Sequence, residues 1–180
     1  VLRSNGNGNG VLLGNDNKLN LYVATHTYSG RSTYKISMTD RNRNGGILNV
    51  NPPNSINVPF HIETTYSFLS PQFQGYNDSP ELLQPPIDFG CEGELFIHNP
   101  NAFDPDGDSL SYELIVPKQG LNNDVPNYSF PDQINPGPDN MVSLDPETGD
   151  FIWDSPQRIG EYNIAMYIHE TGSCLRPRKK

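Results

Sequence analysis

The stretch NAFDPDGDSLSYE, residues 101–113, decides how the rest of the sequence is interpreted. It places Asp104, Asp106 and Asp108 within five residues, separated by a proline that fixes one φ angle and a glycine that frees another. Three carboxylates at this spacing repel one another unless a cation lies between them, and calcium is a hard cation that prefers oxygen ligands. The sequence therefore predicts a calcium-binding loop. The alternative is a plain turn, since Asp and Gly favour turns by themselves.

A β-strand is predicted directly after residues 104–108, which we call the acidic loop. Leu110, Tyr112 and Leu114 recur at every second position, which is the periodicity of a strand with one apolar face. The same kind of pattern predicts strands at 19–27, 34–39, 47–50, 58–68, 95–97, 142–144, 151–153 and 162–168. The chain also has 16 Gly and 17 Pro and no cluster of helix formers. We therefore predict an all-β fold of short strands joined by many turns.

A proline-rich segment at residues 71–88 is the predicted linker between two β domains. Its four prolines stiffen the chain and prevent strand pairing. The sequence is thus divided into a β domain at 1–70, complete or lacking its first strands, a second at 89–171 and a basic tail at 172–180. A chain of 180 residues is long enough for two domains of about 90 residues.

Charge and hydropathy exclude several classes of function. The net charge is −9, and four of the twelve Lys and Arg residues lie in the last five positions. Nucleic-acid binding is not expected, because phosphate contacts need clustered basic side chains on the folded body. No run of 18 apolar residues is present, so the sequence predicts no membrane-spanning helix.

An enzyme is not predicted. The four histidines are scattered along the chain, and His61-x-Glu63 and His169-Glu170 lack the spacing of a zinc protease motif. There is no nucleophile elbow and no phosphate-binding loop. We therefore expect a binding or structural role, which must be argued from a site.

Two motifs carry a resemblance to a known family. AFDPDGDSLSYEL at 102–114 and SLDPETGDFIWDSPQRIGEYNIAMYIHE at 143–170 resemble a cadherin-like, dystroglycan-type repeat of the immunoglobulin-like class. YNDSP at 76–80 resembles the linker between such repeats, although its proline is one position early. Residues 34–63 resemble repeats in large surface proteins of gliding Bacteroidetes. The resemblance implies tandem immunoglobulin-like or cadherin-like β-sandwiches.

The resemblance also implies a calcium site shared between the linker and the acidic loop. Its expected ligands are Asn77, Asp78, Asp104, Asp106 and, as a weaker match, Asp108. Glu63 or Asp40, near strand ends of the first domain, would complete the ligand set. A site confined to the acidic loop is the alternative, because the linker motif matches only in part.

The expected function is that of a non-catalytic structural or adhesive repeat, rigidified by calcium, in a secreted cell-surface or filament-forming protein. Its expected location is extracellular, and its expected partners are neighbouring repeats of the same chain, other copies of itself, or surface glycans. The alternative is a carbohydrate-binding module with exposed aromatics. The candidates for that platform are Tyr66, Phe68, Phe73, Tyr76 and Tyr128. Trp153, the only tryptophan, is expected in the core.

The two cysteines permit one disulfide and do not require it. Cys91 precedes the early strands of the second predicted domain, and Cys174 follows its last strand. Because domain termini are often close together and secreted proteins retain disulfides, we predict that these cysteines pair.

Overall fold

Strands make up most of the regular structure of this protein. The structure, a computed structural model, describes residues 2–3, 10–14, 17–68 and 77–172. The helices in this part of the chain are no longer than four residues, so the prediction of an all-β protein is confirmed. The chain divides into two compact units, Val1–Arg31 and Ser32–Lys180. The finer arrangement as tandem sandwiches stays a prediction.

The first unit contains four short strands among its described residues. They are β1 (Leu2–Arg3), β2 (Val11–Gly14), β3 (Asn17–Leu19) and β4 (Tyr22–Val23). β1 pairs antiparallel with β4, and β2 pairs antiparallel with β3. The predicted strand at 19–27 is wrong in its extent, because pairing stops after Leu19 and resumes only at Tyr22.

The second unit holds the longer strands. They are β5 (Ser32–Asp40), β6 (Phe60–Phe68), β7 (Glu81–Leu82), β8 (Phe96–His98), β9 (Ala102–Phe103), β10 (Ser109–Ile115), β11 (Lys118–Gly120), β12 (Asn123–Asp124), β13 (Met141–Leu144), β14 (Phe151–Asp154) and β15 (Ala165–Thr171). A 3-10 turn at Ser55–Asn57 and the helix α1 (Pro131–Ile134) complete the described elements. The predicted strand at 47–50 is wrong: this segment forms turns and one isolated bridge from Ile47 to Glu161.

One sheet joins strands from both sides of the predicted linker. Its order is β12-β11-β6-β5, and Lys118 of β11 lies opposite His61 of β6. The other sheets of this unit are β13-β14-β8, β10-β15 and β7-β9, all antiparallel. The predicted boundaries at 70 and 89 stay a prediction, but strands on the two sides of them belong to one sheet.

The hydrophobic core is also built from both sides of the linker. Ile47, Val50 and Val58 pack with Val125, and the half-buried Tyr128 lies against them. None of these apolar residues lies in a named strand: they come from turns and loops, and Val50 is fully buried without being part of a strand. Burial of this apolar surface therefore stabilises the two sides together.

Two asparagines, Asn49 and Asn163, form hydrogen bonds with each other beside this core. The amide of Asn49, which is fully buried, donates to the backbone oxygen of Asn163 at 2.8 Å and accepts from its backbone nitrogen at 2.8 Å. Arg43, also buried, donates to the Asn163 side chain at 2.5 Å and to the backbone oxygen of Lys118 at 2.7 Å. These bonds satisfy buried polar groups that would otherwise be costly.

Trp153 lies in the core, as predicted. It is 7% exposed, and its indole N–H donates to the side-chain oxygen of the buried Asn140 at 2.6 Å. Its ring meets that of Tyr162 edge-to-face, with centroids 4.8 Å apart. β14 therefore contributes Phe151 and Trp153 to the interior on one face, as strand alternation requires.

Candidate functional site

The acidic loop folds around the carboxylate of Asp104. Oδ1 of Asp104 accepts hydrogen bonds from the backbone N–H of Asp106 at 2.9 Å and of Asp108 at 3.0 Å. The N–H of Gly107 returns to the backbone oxygen of Asp104 at 3.1 Å. Gly107 has φ +78°, which a glycine adopts without a steric penalty. The DPDGD sequence thus dictates a tight turn wrapped around one carboxylate.

The second oxygen of Asp104 is the unusual atom of this site. Asp104 is only 5% exposed, and its Oδ2 is buried without a hydrogen-bond partner. A buried carboxylate oxygen left without a partner is costly, and buried charges in proteins are normally paired or bound to metal. The fold therefore presents an oxygen that needs a positive partner.

The linker approaches the acidic loop, as the predicted shared site requires. β7 pairs with β9, which places residues 77–80 beside the loop. The backbone N–H of Asp78 donates to Oδ2 of Asp106 at 2.6 Å. Asn77 is half-buried next to these groups and hydrogen-bonds the side chain of Glu170. Four predicted ligands, two from each segment, are therefore brought together.

Glu170 joins the acidic loop although it was not among the predicted ligands. It lies near the end of β15, opposite Leu110 of β10, so that it projects beside the start of the strand that follows the loop. Partial burial raises its pKa above the usual value, and the negative charges of the loop raise it further. The hydrogen bond from Asn77 acts in the opposite direction. The sequence did show an acidic residue near the end of the last predicted strand. It did not show which strand this residue would pair with.

Asp108 lies next to the same strand end. A Cβ placed on Gly172 would come within 3.2 Å of Oδ2 of Asp108, so only a small residue leaves that carboxylate undisturbed there. The loop, the linker and the end of β15 thus contribute oxygen atoms to one region. Oxygen donors alone, without sulfur or imidazole, are the ligand set that calcium prefers.

The carboxylates are close but not yet arranged as a complete shell. Within the described residues, no group of three or more His, Cys, Asp or Glu side chains is placed so that it could hold a metal ion as it stands. Oδ1 of Asp104 and Oδ2 of Asp106 bond backbone N–H groups instead. Closing around an ion therefore requires side-chain rotation, while the backbone turn already supplies the spacing.

Glu63 and Asp40, the residues expected to complete the ligand set, make other contacts, and their contribution to a calcium site stays a prediction. The carboxylate of Glu63 accepts a hydrogen bond from Lys35 at 3.0 Å and lies 3.3 Å from Nε2 of His61. These contacts, that of Lys35 first, lower the pKa of Glu63. Asp40 accepts from the backbone N–H of Asn42. Both residues are tied to the β5–β6 hairpin, and neither bonds the acidic loop.

Other predicted site residues fall in several places. Cys91 is exposed, whereas Cys174 lies outside the described residues, so their pairing stays a prediction. Tyr128 is half-buried, and its hydroxyl donates to the backbone oxygen of Asn163 at 3.1 Å. The Tyr66 hydroxyl donates to the backbone oxygen of Asn77 at 3.2 Å. Two further members of the aromatic set, Phe73 and Tyr76, are also outside the described residues.

Comparison with protein-family models, with curated proteins and with solved structures gave no match to this chain. The resemblance to cadherin-like repeats therefore rests on its motifs alone. In the part of the chain that the structure describes, every helix is too short or too polar to cross a membrane.

Proposed function

We propose that this chain is a calcium-binding structural module of a secreted cell-surface protein, in which the ion fixes the acidic loop to its neighbouring segments. One observation carries the proposal: Oδ2 of Asp104 is buried and has no hydrogen-bond partner, and it lies among further carboxylates. Desolvated negative charge of this kind favours a bound cation over a plain turn. The cadherin-like motifs support the same reading and suggest an extracellular, adhesive or spacing role.

The expected donors come from three segments. They are Asp104, Asp106 and Asp108 of the acidic loop, Asn77 and Asp78 of the linker, and Glu170 of β15. An ion bound among them would neutralise like charges and hold the linker against the loop, because it replaces repulsion with attraction. The role of the ion in this proposal is therefore structural: it stiffens the contact between the linker and the acidic loop.

The first test measures stability with and without calcium. Extracellular calcium sites bind at roughly 10⁻⁴–10⁻³ M. At about 10 mM calcium, an ion that binds only the folded state then adds about 1.4–2.7 kcal/mol to the free energy of unfolding. Urea unfolding of the wild-type chain in calcium and in chelator should show this difference, and calorimetry should show saturable binding.

Asp104→Asn should remove the calcium-dependent gain. The substitution keeps the oxygen that accepts from Asp106 and Asp108, so the turn is retained while the negative charge is lost. Asp145→Asn is the matched control, because Asp145 also begins a DP turn and accepts two backbone N–H groups but is exposed. A wild-type chain equally stable in calcium and chelator, or an Asp104→Asn variant that responds to calcium like Asp145→Asn, would overturn the proposal.

The carbohydrate-binding alternative has less support. Tyr128 is half-buried against the core, and the hydroxyls of Tyr66 and Tyr128 are engaged with backbone oxygens. Binding of the purified chain to a glycan array, lost on Phe68→Ala, would favour this alternative over the calcium module.

A further inference from the structure

Strand β5 forms the outer edge of the four-stranded sheet. All nine of its residues pair with β6 in continuous register, from Ser32 opposite Phe68 to Asp40 opposite Phe60. Among the described residues, no strand pairs with its other side. Alternate backbone N–H and C=O groups of β5 therefore point away from β6.

One face of the antiparallel pair formed by β5 and β6 is apolar and exposed. Ile36 is 47% exposed, Met38 is 51% exposed, and Ile62, directly opposite Met38, is 52% exposed. The charged side chains Lys35 and Glu63 lie on the other face and pair with each other at 3.0 Å. The edge thus combines backbone groups that point away from β6 with a flank that is apolar at its centre and ends in Asp40.

Within the part of the chain that the structure describes, β5 lacks the usual protections of an edge strand. Soluble proteins cover exposed edges or blunt them with proline, bulges, short length or free lysines. β5 has nine residues, no proline and no bulge in its pairing with β6, and its lysine is held by Glu63. A long edge with a regular register is suited to receiving another strand.

We propose that β5 pairs antiparallel with β5 of a second copy of this chain, which joins two sheets edge to edge. The backbone restricts the register, since in antiparallel pairing the N–H and C=O of one residue point to the same side. Even-numbered residues of one copy must therefore meet even-numbered residues of the other. The same rule aligns the apolar faces of the two copies.

Among the registers that the backbone allows, the one centred on Ile36 pairs the most residues without opposing like charges. It pairs all nine residues, and its facing residues are Ser32 with Asp40, Thr33 with Thr39, Tyr34 with Met38, Lys35 with Ser37, and Ile36 with its own copy. No like charges face each other in it. The register centred on Lys35 opposes two lysines, and the one centred on Ser37 pairs only seven residues and places Tyr34 opposite Asp40. Charge and side-chain pairing both favour the first.

Disulfide trapping tests the proposed register directly. In a chain carrying Cys91→Ser and Cys174→Ser, Ile36→Cys places two thiols opposite each other, within the Cα separation that a disulfide accepts. Ser32→Cys is the matched control, because the two copies of residue 32 would lie about 27 Å apart. Oxidation should cross-link the Ile36→Cys variant and leave the Ser32→Cys variant without a cross-link. Equal cross-linking of both variants, or of neither, would overturn the proposal.

A second pair of variants distinguishes edge pairing from face-to-face packing. Ile36→Lys opposes two charges at the centre of the joint and should weaken self-association of the otherwise native chain by about tenfold or more. Thr64→Lys places the same charge on the same face, directly opposite Ile36 but on the inner strand β6. It should leave the association unchanged.

Sedimentation in chelator measures this association independently of the calcium site, so failure here leaves the proposed function untouched. A wild-type chain that remains monomeric at high concentration would refute edge pairing. Equal loss in the Ile36→Lys and Thr64→Lys variants would refute it in favour of face-to-face packing.

Discussion

At the scale of the residue, Gly149 is a position where two independent constraints require the same amino acid. It lies in the turn between β13 and β14 with φ +79°, a conformation that favours glycine. A Cβ at this position would also lie 2.7 Å from Cε1 of Tyr112, which is 7% exposed. Both the backbone and the packing therefore require glycine.

Gly149→Ala should destabilise the fold more than Gly93→Ala. Gly93 has a similar φ of +75°, but a Cβ there meets no atom within 4 Å. Its substitution should cost about 1–2 kcal/mol from backbone strain alone. The Gly149 substitution should cost about 1–3 kcal/mol more, because it also overpacks against Tyr112. Urea unfolding of the two variants measures the difference, and equal losses would show that Tyr112 moves aside freely.

The acidic loop was the most predictable residue-scale feature. Asp-Pro-Asp-Gly-Asp defines its own turn through local bonds, so the sequence alone indicated that Asp104, Asp106 and Asp108 would lie together. Glu170 was missed because its place depends on the register of β10 against β15, which local sequence does not encode. The contact of Glu63 with Lys35 could not be predicted for the same reason, since it depends on the pairing of β5 with β6.

At the scale of the element, the β13–β14 hairpin is closed by Asp145. Its carboxylate accepts from the backbone N–H of Thr148 at 3.0 Å and of Glu147 at 2.8 Å, and the turn returns to β14 at Phe151. These backbone hydrogen bonds, that of Thr148 first, hold the pKa of Asp145 below its usual range. The charged form is therefore favoured by folding.

The stability that Asp145 supplies should depend on pH in a defined direction. Because the pKa is lowered in the folded state, the contribution is present above the unfolded pKa of about 3.9 and is lost as the pH falls through the folded value. The gap in urea midpoint between the wild type and Asp145→Asn should therefore narrow as the pH is lowered from 7 through that range. Asp139→Asn, at an exposed position, serves as the control. A gap that stays constant with pH would contradict this role.

Elements were predictable where periodicity and turn chemistry agreed. The strands at 34–39, 58–68, 142–144 and 151–153 were found within about two residues of their predicted ends, in line with the precision of such boundaries. The segment around Val50 was not, because its apolar residues serve the core from a turn. Apolar character alone does not distinguish a buried turn from a strand.

At the scale of the whole molecule, the core of the second unit draws on residues far apart in sequence. Asn49 and Asn163 bond each other across 114 positions, and Val50 and Val58 pack with Val125. Composition and linker chemistry predicted two separate domains, but tertiary pairing is invisible to such local signals. Whether the predicted boundaries mark independent folding units is therefore a question for unfolding experiments.

Asn49→Ala tests whether the two sides of the linker unfold together. It leaves the backbone N–H of Asn163 without its partner, while the backbone oxygen of Asn163 keeps the hydroxyl of Tyr128, and it should cost about 1–3 kcal/mol. Since Trp153 is the only tryptophan, its fluorescence reports on the far side of the linker from the substitution. The fluorescence transition in urea should shift together with circular dichroism. The control Asn42→Ala removes an exposed bond and should change little. An unshifted Trp153 transition in the Asn49→Ala variant would show independent domains.

The long sequence separation between Asn49 and Asn163 also determines how late in synthesis their contact can form. A ribosome that adds about 5–20 residues per second needs roughly 6–23 seconds to travel from one to the other. During this interval Val50 and Val58 have been made, while the backbone that completes their surroundings has not. The nascent chain therefore carries an unsatisfied apolar segment, which suits recognition by holding chaperones and delays folding until most of the chain has emerged.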